Sequence, residues 1–541
     1  MKKHIQFAIV GLLLNTAPNL SAQTFTSSNL PIVVIDTYGQ YIDTAYQTFV
    51  VGIGVIDHGP GVRNYLTDPF NNFNSKAEIK LRGSSTLLLP KKSYSVTTLD
   101  NFLQKNDYPL MNLPPEHDWI FKALYQDKTL LRDDLTYRIH NQMGHYSSRS
   151  VFFELVINGN YKGIYQLQEK VKRDVNRLNI DKLKDTDVSG DDLTGGYIIK
   201  LDKYLPGEEG WYSDYSSNIT ADSANYFLYE YPKPDSMPLV QKNYIKNYFD
   251  QFEDVLASSY CNSPDSGYSK YINTESVIDN FLINEMSKNV DGYRSSTYFY
   301  KDKDSDGDGK LHCGPVWDYN IAWKNCYYNG GNNSSGWQYQ FFATENFVPF
   351  WWWQFMSDNA FKDQLKCRWQ TLRGSILSFS ALYGHIDSMA YYLDESQVRN
   401  FTKWPILGTF VSPNPSPVPA NYAAEIANLK DWIWQRLTWM DANMPGVCSV
   451  GIQEVASLDL IHSYPNPFIN NVTISYDIPE EATVKVELIN SLGQKLKVLS
   501  DGIKQKGNYQ EEINTSDLTS GIYVLRMTMN NKHFHQKIVK L

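Results

Sequence analysis

Near residue 457 the texture of the chain changes, and this break limits the fold more than any other feature. From Leu458 onward, short runs alternate apolar and polar residues between Asn, Gly and Pro turns: VTISYDI, VKVELIN, GIYVLRM and HFHQKIVKL. Period-two alternation at this spacing predicts a small all-β sandwich. Upstream, strand and helix patterns are mixed, which predicts a larger α+β domain. Residues 446–456 follow neither pattern and read as the linker. A chain of 541 residues is long enough for two or three domains and at least one large core.

The N-terminus has its own pattern. Lys2 and Lys3 precede the apolar stretch Phe7–Leu14, and LSA ends at Ala22. This predicts a secretory signal over residues 1–22, too short to remain as a membrane span. LPIVVID and VVGIGVID then read as strands, so residues 23–75 lead into the larger domain. AEIKL and KKSYSVTTL form a hairpin around RGSS, with Tyr94 and Val96 on one face. Leu131, Leu135, Ile139 and Met143 repeat every four residues ahead of Gly144, predicting a helix. VFFELVING and YKGIYQLQE flank an Asn-Gly turn, and GGYIIKL is a further strand. Helices are predicted from near Thr274 and over Tyr422–Met444. The run FVPFWWWQF reads as core, with a substrate-docking patch as the second reading.

Net charge is −9 and no long basic run or Arg-rich stripe is present, which argues against a nucleic-acid partner. The five cysteines match no zinc spacing. Cys313 and Cys326 either form a disulfide or are small buried thiols.

Three stretches carry chemistry. In RGSSTLLLPKKSY, the turn Arg82, Gly83, Ser84, Ser85 exposes backbone N–H groups that can hold phosphate oxygens. Lys91 and Lys92 follow as candidate point charges for the same oxygens. In NVDGYRSSTYFY, Asp291 follows a helix on a loop and can accept a hydroxyl proton as general base; a helix-terminal turn before Gly292 is the simpler reading. In GPVWDYNIAW, Asp318 stands between Trp317 and Tyr319 in what reads as a core strand. A carboxylate there needs a cation, either a metal such as Mg²⁺ or a buried Lys or Arg. A hairpin with backbone donors, a lysine, a helix, two strands and then two separated aspartates is the order used in kinase-type phosphoryl transfer. In DKDSDGDGKLH, Asp302, Asp304 and Asp306 match the start of a Ca²⁺ loop, but Cys313 occupies the twelfth position. The alternatives are weak Ca²⁺ binding and a plain solvated turn.

Taken with DKTLLRDDLTYRI, FELVINGNYKGIYQLQEKV and GGYIIKLD, these stretches resemble the CotH family of atypical, protein-kinase-like enzymes. The resemblance implies a kinase-like, two-lobed domain over residues 76–445, ATP with Mg²⁺ or Mn²⁺, and phosphorylation of Ser or Thr hydroxyls on a protein substrate. It assigns Asp291 as the catalytic aspartate and Asp318 as a metal ligand. Lys92, with Lys91 beside it, is the phosphate-contacting candidate, and Glu169 lies near the nucleotide. Protein kinases place a metal-binding Asn five residues after the catalytic Asp. Here that position is Ser296, and Asn320 is the substitute ligand. These departures leave a second reading, a non-catalytic scaffold or adhesin binding protein or glycan.

YPNPF, NSLGQ, LTSGIYVLRM and the terminal KIVKL resemble a type IX secretion C-terminal sorting domain, here residues 457–541, with an immunoglobulin-like sandwich fold. That resemblance implies the type IX secretion machinery as a partner and a secreted or surface-attached product, with no transmembrane segment once the signal is removed.

Overall fold

The computed structural model describes residues 25–216, 224–341, 347–448, 460–490, 495–530 and 532–541. The expected signal segment, residues 1–22, lies outside them. The described residues form two compact units. One comprises those up to Leu365 together with Phe379–Gly446; the other comprises Lys366–Ser378 and those from Val447 on.

The first unit begins with a short pair, β1 (Ser27–Ser28) against β4 (Asn64–Tyr65). A closed barrel follows, built from β2 (Ile32–Asp36), β3 (Phe49–Ile56), β5 (Phe73–Arg82), β6 (Ser93–Leu99), β7 (Asp118–Lys122), β8 (Ser150–Ile157) and β9 (Asn160–Glu169). The order around it is β2-β3-β5-β6-β7-β9-β8, and β8 closes it by running parallel to β2. Alternate residues point inward, as a barrel requires: Val33, Ile53, Ile79, Val96, Phe121, Phe153 and Leu167 share the core. The strands LPIVVID and VVGIGVID, β2 and β3, are therefore staves of this barrel. The hairpin and the inward face with Tyr94 and Val96 follow the sequence pattern; its register sets Arg82 opposite Ser93. Helix α1 (Arg132–Gln142) buries Leu135, Tyr137 and Ile139.

An antiparallel sheet comes next: β10 (Tyr197–Leu201), β11 (Gly210–Ser216), β12 (Ala224–Tyr231), β13 (Thr297–Lys301) and β14 (His312–Cys313), in the order β11-β12-β10-β13-β14. Helices α2 (Leu239–Ala257), α3 (Thr274–Ser287), α4 (Trp351–Ser357), α5 (Asn359–Arg373), α6 (Phe379–Tyr392), α7 (Asp394–Lys403) and α8 (Tyr422–Asn443) complete the helical content among the described residues. Helix α3 starts where Asn273 accepts a bond from the Ser276 N–H, and it is buried from Ser276 to Ser287. The tryptophan run is core: Trp351 and Trp352 are fully buried, and Trp351 stacks on Phe227 at 5.7 Å. Among the described residues no helix is long and apolar enough to cross a membrane.

One expectation changes, and one open alternative is decided in favour of buried thiols. GPVWDYNIAW is not a strand. The ladder stops at Cys313, Pro315 has no N–H to donate, and Asp318 and Trp323 have φ of 65° and 53°, which breaks pleating. Cys313 and Cys326 are free and buried; the disulfide joins Cys367 to Cys448.

In the second unit, β15 (Ile461–Tyr464), β16 (Asn471–Ile478) and β19 (Gly507–Asn514) form one sheet. The other contains β17 (Ala482–Asn490), β18 (Lys495–Lys504), β20 (Gly521–Met529) and β21 (Lys532–Lys540). Alternate residues, among them Val472, Ile474, Val484, Val486, Leu525 and Met527, fill one shared core.

Candidate active site

The turn between β5 and β6 requires a glycine. Gly83 has φ of 119°, and a Cβ there would lie 1.9 Å from Thr86 Oγ1. After it, Ser85–Leu88 form a single tight helical turn. Arg82, Gly83, Ser84 and Ser85 line a cleft of about 490 Å³ whose other walls include Lys122, Lys200, Lys203, Asp291, Ser296 and Asp318. The two aspartates, 27 positions apart in the chain, thus face one cavity.

Asp318 is anchored from both sides. Its backbone N–H donates to Tyr137 Oη at 3.0 Å, and Tyr137 stacks on Trp317. Its Oδ1 accepts from Lys122 Nζ at 2.5 Å, while its side chain stays 41% exposed toward the cleft. Lys122, the last residue of β7, is also 3.5 Å from Asp133 Oδ2 on α1. Asp133 is fully buried and accepts from the Tyr319 N–H at 2.7 Å. Burial opposes the charge on Lys122, but Asp133 and Asp318 outweigh it and its pKa is raised. Burial likewise raises the pKa of Asp133 in spite of Lys122. For Asp318 burial pulls upward, yet Lys122 and then Arg82 prevail and hold its pKa below the ordinary value. The cation that Asp318 demands is therefore a lysine in this structure.

Asp291 lies in the loop between α3 and β13. Lys288 ends the helix in the left-handed region, and the Asn289 side chain accepts from the Asp291 N–H at 3.2 Å. Burial first, and then the nearby charge of Asp318, push the Asp291 pKa up to about 6, with Arg294 pulling the other way. That value suits a base working near neutral pH.

The other sequence candidates divide. Ser296 lines the cleft, with φ of 49°. Lys91 does not: its amine is buried, donating to the Ile164 carbonyl and to Asn400 Oδ1 at 2.9 Å, and burial lowers its pKa to about 7. Lys92 donates to the Leu87 carbonyl at 2.6 Å and is absent from the cleft walls. Both lysines follow the turn but precede β6, and their amines go to the Ile164 carbonyl and Asn400 (Lys91) and to the Leu87 carbonyl of the tight helical turn (Lys92). Glu169 is fully buried and held by Arg149, Nη2 to Oε1 at 2.7 Å and Nε to Oε2 at 2.9 Å, so it braces β9. Asn320 is buried behind Asp318, and its carbonyl accepts from Asn325 Nδ2 at 2.7 Å. In the turn that resembles a Ca²⁺ loop, Asp302 accepts from the Asp181 and Lys303 N–H groups and Asp304 pairs with Lys301, so these carboxylates serve different partners.

Lys122 and Asp133 are the residues that sequence reasoning missed. The signal was available: in DWIFKAL a lysine interrupts an apolar run, the same anomaly that singled out Asp318.

The cleft of this barrel-based α/β unit is thus lined by both acidic and basic side chains. Residues 79–440, more than half of the chain, match the family described as CotH kinase protein, and the chain belongs to that family. Residues 462–541 match the secretion system C-terminal sorting domain. This is therefore a CotH-family protein with an export tail, destined for the cell surface or for secretion. Among curated proteins none matches. The solved structure of Pseudomonas fluorescens alkylpurine DNA glycosylase AlkC, bound to DNA containing an abasic site analog, is 12% identical. It covers 55% of this chain and 76% of its own at a TM-score of 0.12, a likeness that carries no argument.

Proposed function

We propose that the cleft binds ATP with a divalent cation and transfers its γ-phosphoryl group to a Ser or Thr hydroxyl of a secreted or surface protein, with the barrel and the helical part acting as the two lobes of a kinase-like domain. The observation that carries this reading is the single cleft lined by Gly83–Ser85, Lys122, Asp291 and Asp318. The donor set fits both groups. Backbone amides at Gly83–Ser85 and the amines of Lys122, Lys200 and Lys203 suit phosphate oxygens, whereas Asp318 and Ser296 offer the oxygen ligands that Mg²⁺ or Mn²⁺ takes. A bound divalent ion would supply charge neutralisation at the phosphates. Asp291, ionised at neutral pH, accepts the proton of the acceptor hydroxyl and orients its oxygen. Lys122, braced by Asp133, fixes the direction of the Asp318 carboxylate.

A second reading, a nucleotide-binding scaffold without turnover, is favoured by Ser296 standing where kinases carry a metal-binding Asn and by the direct Lys122–Asp318 pair. Purified protein incubated with labelled ATP and Mg²⁺ or Mn²⁺, followed by mass spectrometry of modified sites, separates the two. Transfer lost in Asp318→Ala and in Asp291→Ala, with ATP-dependent thermal stabilisation kept in the latter, supports the enzyme. Thermal stabilisation without transfer supports the scaffold, and the absence of both rejects nucleotide binding.

A further inference from the structure

Three residues beyond Asp291, in the same loop, Arg294 occupies an unusual position. It is 3% exposed, and none of its three guanidinium nitrogens has a hydrogen-bond partner. Its backbone N–H bonds the Asp291 carbonyl at 3.3 Å, which fixes the loop. A buried, unsatisfied guanidinium is among the costlier arrangements in a folded protein. The side chain lines a second cavity of about 140 Å³, with Lys203, Tyr204, Tyr212, Asn225 and Tyr226 around it. Asp202 and Lys203 line both this cavity and the main cleft, so the two spaces share a wall. Asp202 does not answer the arginine; its own partner is Lys200, at 3.3 Å, and Asp291 acts on the guanidinium through its charge alone, without a hydrogen bond.

The cavity is too small for a nucleotide and large enough for the end of one side chain. Tyr204 and Tyr212 are half exposed at its mouth, each packed against Tyr226 with ring centroids 5.2 and 4.6 Å apart. Rigid tyrosine faces of this kind suit contact with an extended polypeptide. A guanidinium fork matches two oxygens of one anion, either carboxylate or phosphate.

We propose that Arg294 receives an acidic group of the protein substrate, so that the acceptor hydroxyl presented to Asp291 has a carboxylate- or phosphate-bearing residue close to it in the polypeptide. This rests on the kinase reading for its context, though the anion site itself does not depend on turnover. The test uses the full chain and degenerate peptides around a central serine, each flanking position set in turn to Glu, phosphoserine or Gln. Binding is measured calorimetrically without nucleotide, and transfer is measured as KM and kcat. Wild-type protein should bind at least one acidic series about tenfold more tightly than the Gln series, and the order of Glu and phosphoserine identifies the oxygen donor. Arg294→Met should abolish the preference, raising KM for acidic peptides to that for neutral ones, while the pH profile of kcat moves upward for every peptide because Arg294 no longer offsets the raised Asp291 pKa; Arg294→Lys should restore part of the preference. Tyr204→Ala, at the exposed rim, should weaken all peptides alike. The ATP-dependent thermal shift of Arg294→Met reports whether the cleft remains folded. Equal binding of acidic and neutral peptides by wild-type protein, or a preference that survives in a folded Arg294→Met, overturns the proposal. Transfer to neutral and acidic peptides alike would leave the kinase reading standing and remove this one; acidic-peptide binding without any transfer would do the reverse.

Discussion

Replacing Asp291 by Asn should stabilise the folded protein while removing phosphoryl transfer. The carboxyl is pushed from an ordinary 3.8 to about 6, by burial first and then by the charge of Asp318. A raised acid pKa means that the folded state binds protons more tightly than the unfolded chain. Stability is therefore lost as pH climbs from the unfolded value through the folded one, and at neutral pH the ionised Asp291 is a liability. About two units at ~1.4 kcal/mol each set a ceiling near 3 kcal/mol. Asp291 is partly open to the cleft, and solvent screening cuts that to about 1–2 kcal/mol, a Tm rise on the order of 2 °C. The neutral amide escapes this cost. Thermal and urea denaturation of wild type and Asp291→Asn, measured from pH 3.5 to pH 8, give the test. The difference should be full above pH 6 and vanish below about pH 4. A variant less stable than wild type at pH 8, or a difference that does not vary with pH, would refute the desolvation argument and with it the view of Asp291 as a poised base.

In the wild type, transfer should rise with pH through about 6 as Asp291 ionises, read from a pH–kcat/KM profile. Lys122→Ala should cost about 3 kcal/mol in urea denaturation, because Asp133 and Asp318 are left facing each other; removing Asp318 as well should recover part of that loss. Gly83→Ala forces a side chain into φ of 119° and onto Thr86, and should weaken ATP binding about tenfold by calorimetry while costing about 1–3 kcal/mol of stability in urea denaturation. Reducing Cys367–Cys448, which closes a loop of 81 positions, should lower stability by about 4 kcal/mol, seen as a fall in Tm with dithiothreitol.

Periodicity carried the fold well where one face of an element is buried. The β5–β6 hairpin, α1, α3, α8 and the C-terminal alternation all follow from positions of apolar residues, because those positions decide which face meets the core. It misled at GPVWDYNIAW, where apolar residues are buried without forming a ladder; burial alone does not distinguish a strand from an irregular segment packed on a helix. The disulfide was out of reach for a related reason, since pairing depends on which cysteines the fold brings together and spacing says nothing of that. Among the residues that line the cleft, Asp318 stood out because a carboxylate is out of place in its apolar run, whereas Asp291 and the Gly83 turn, ordinary in their local sequence, were singled out by their order along the chain and by the family resemblance. The lysine was missed, because nearness to the turn along the chain was taken for nearness in space. Lys91 and Lys92 follow Gly83 by eight and nine positions, yet the amine that reaches Asp318 comes from β7, the strand paired with β6.

The placing of that amine bears on how the proposed ligand could enter. Asp318 and Lys122 now neutralise each other, and a nucleotide with its cation would need both: the carboxylate for the metal, the ammonium for a phosphate. Separating a buried pair ordinarily strands two charges. Here Asp133 offsets part of that cost in advance. It already lies 3.5 Å from the same ammonium and is held by the Tyr319 N–H, so Lys122 can swing off Asp318 without losing a carboxylate partner. Asp318, more exposed than Lys122 and facing the cleft, is the member left free to take an incoming cation. A fully buried acid whose pKa is raised by its surroundings is hard to justify as a stabilising element. As the second seat for a lysine that changes partners when the proposed ligand enters, it would have a role.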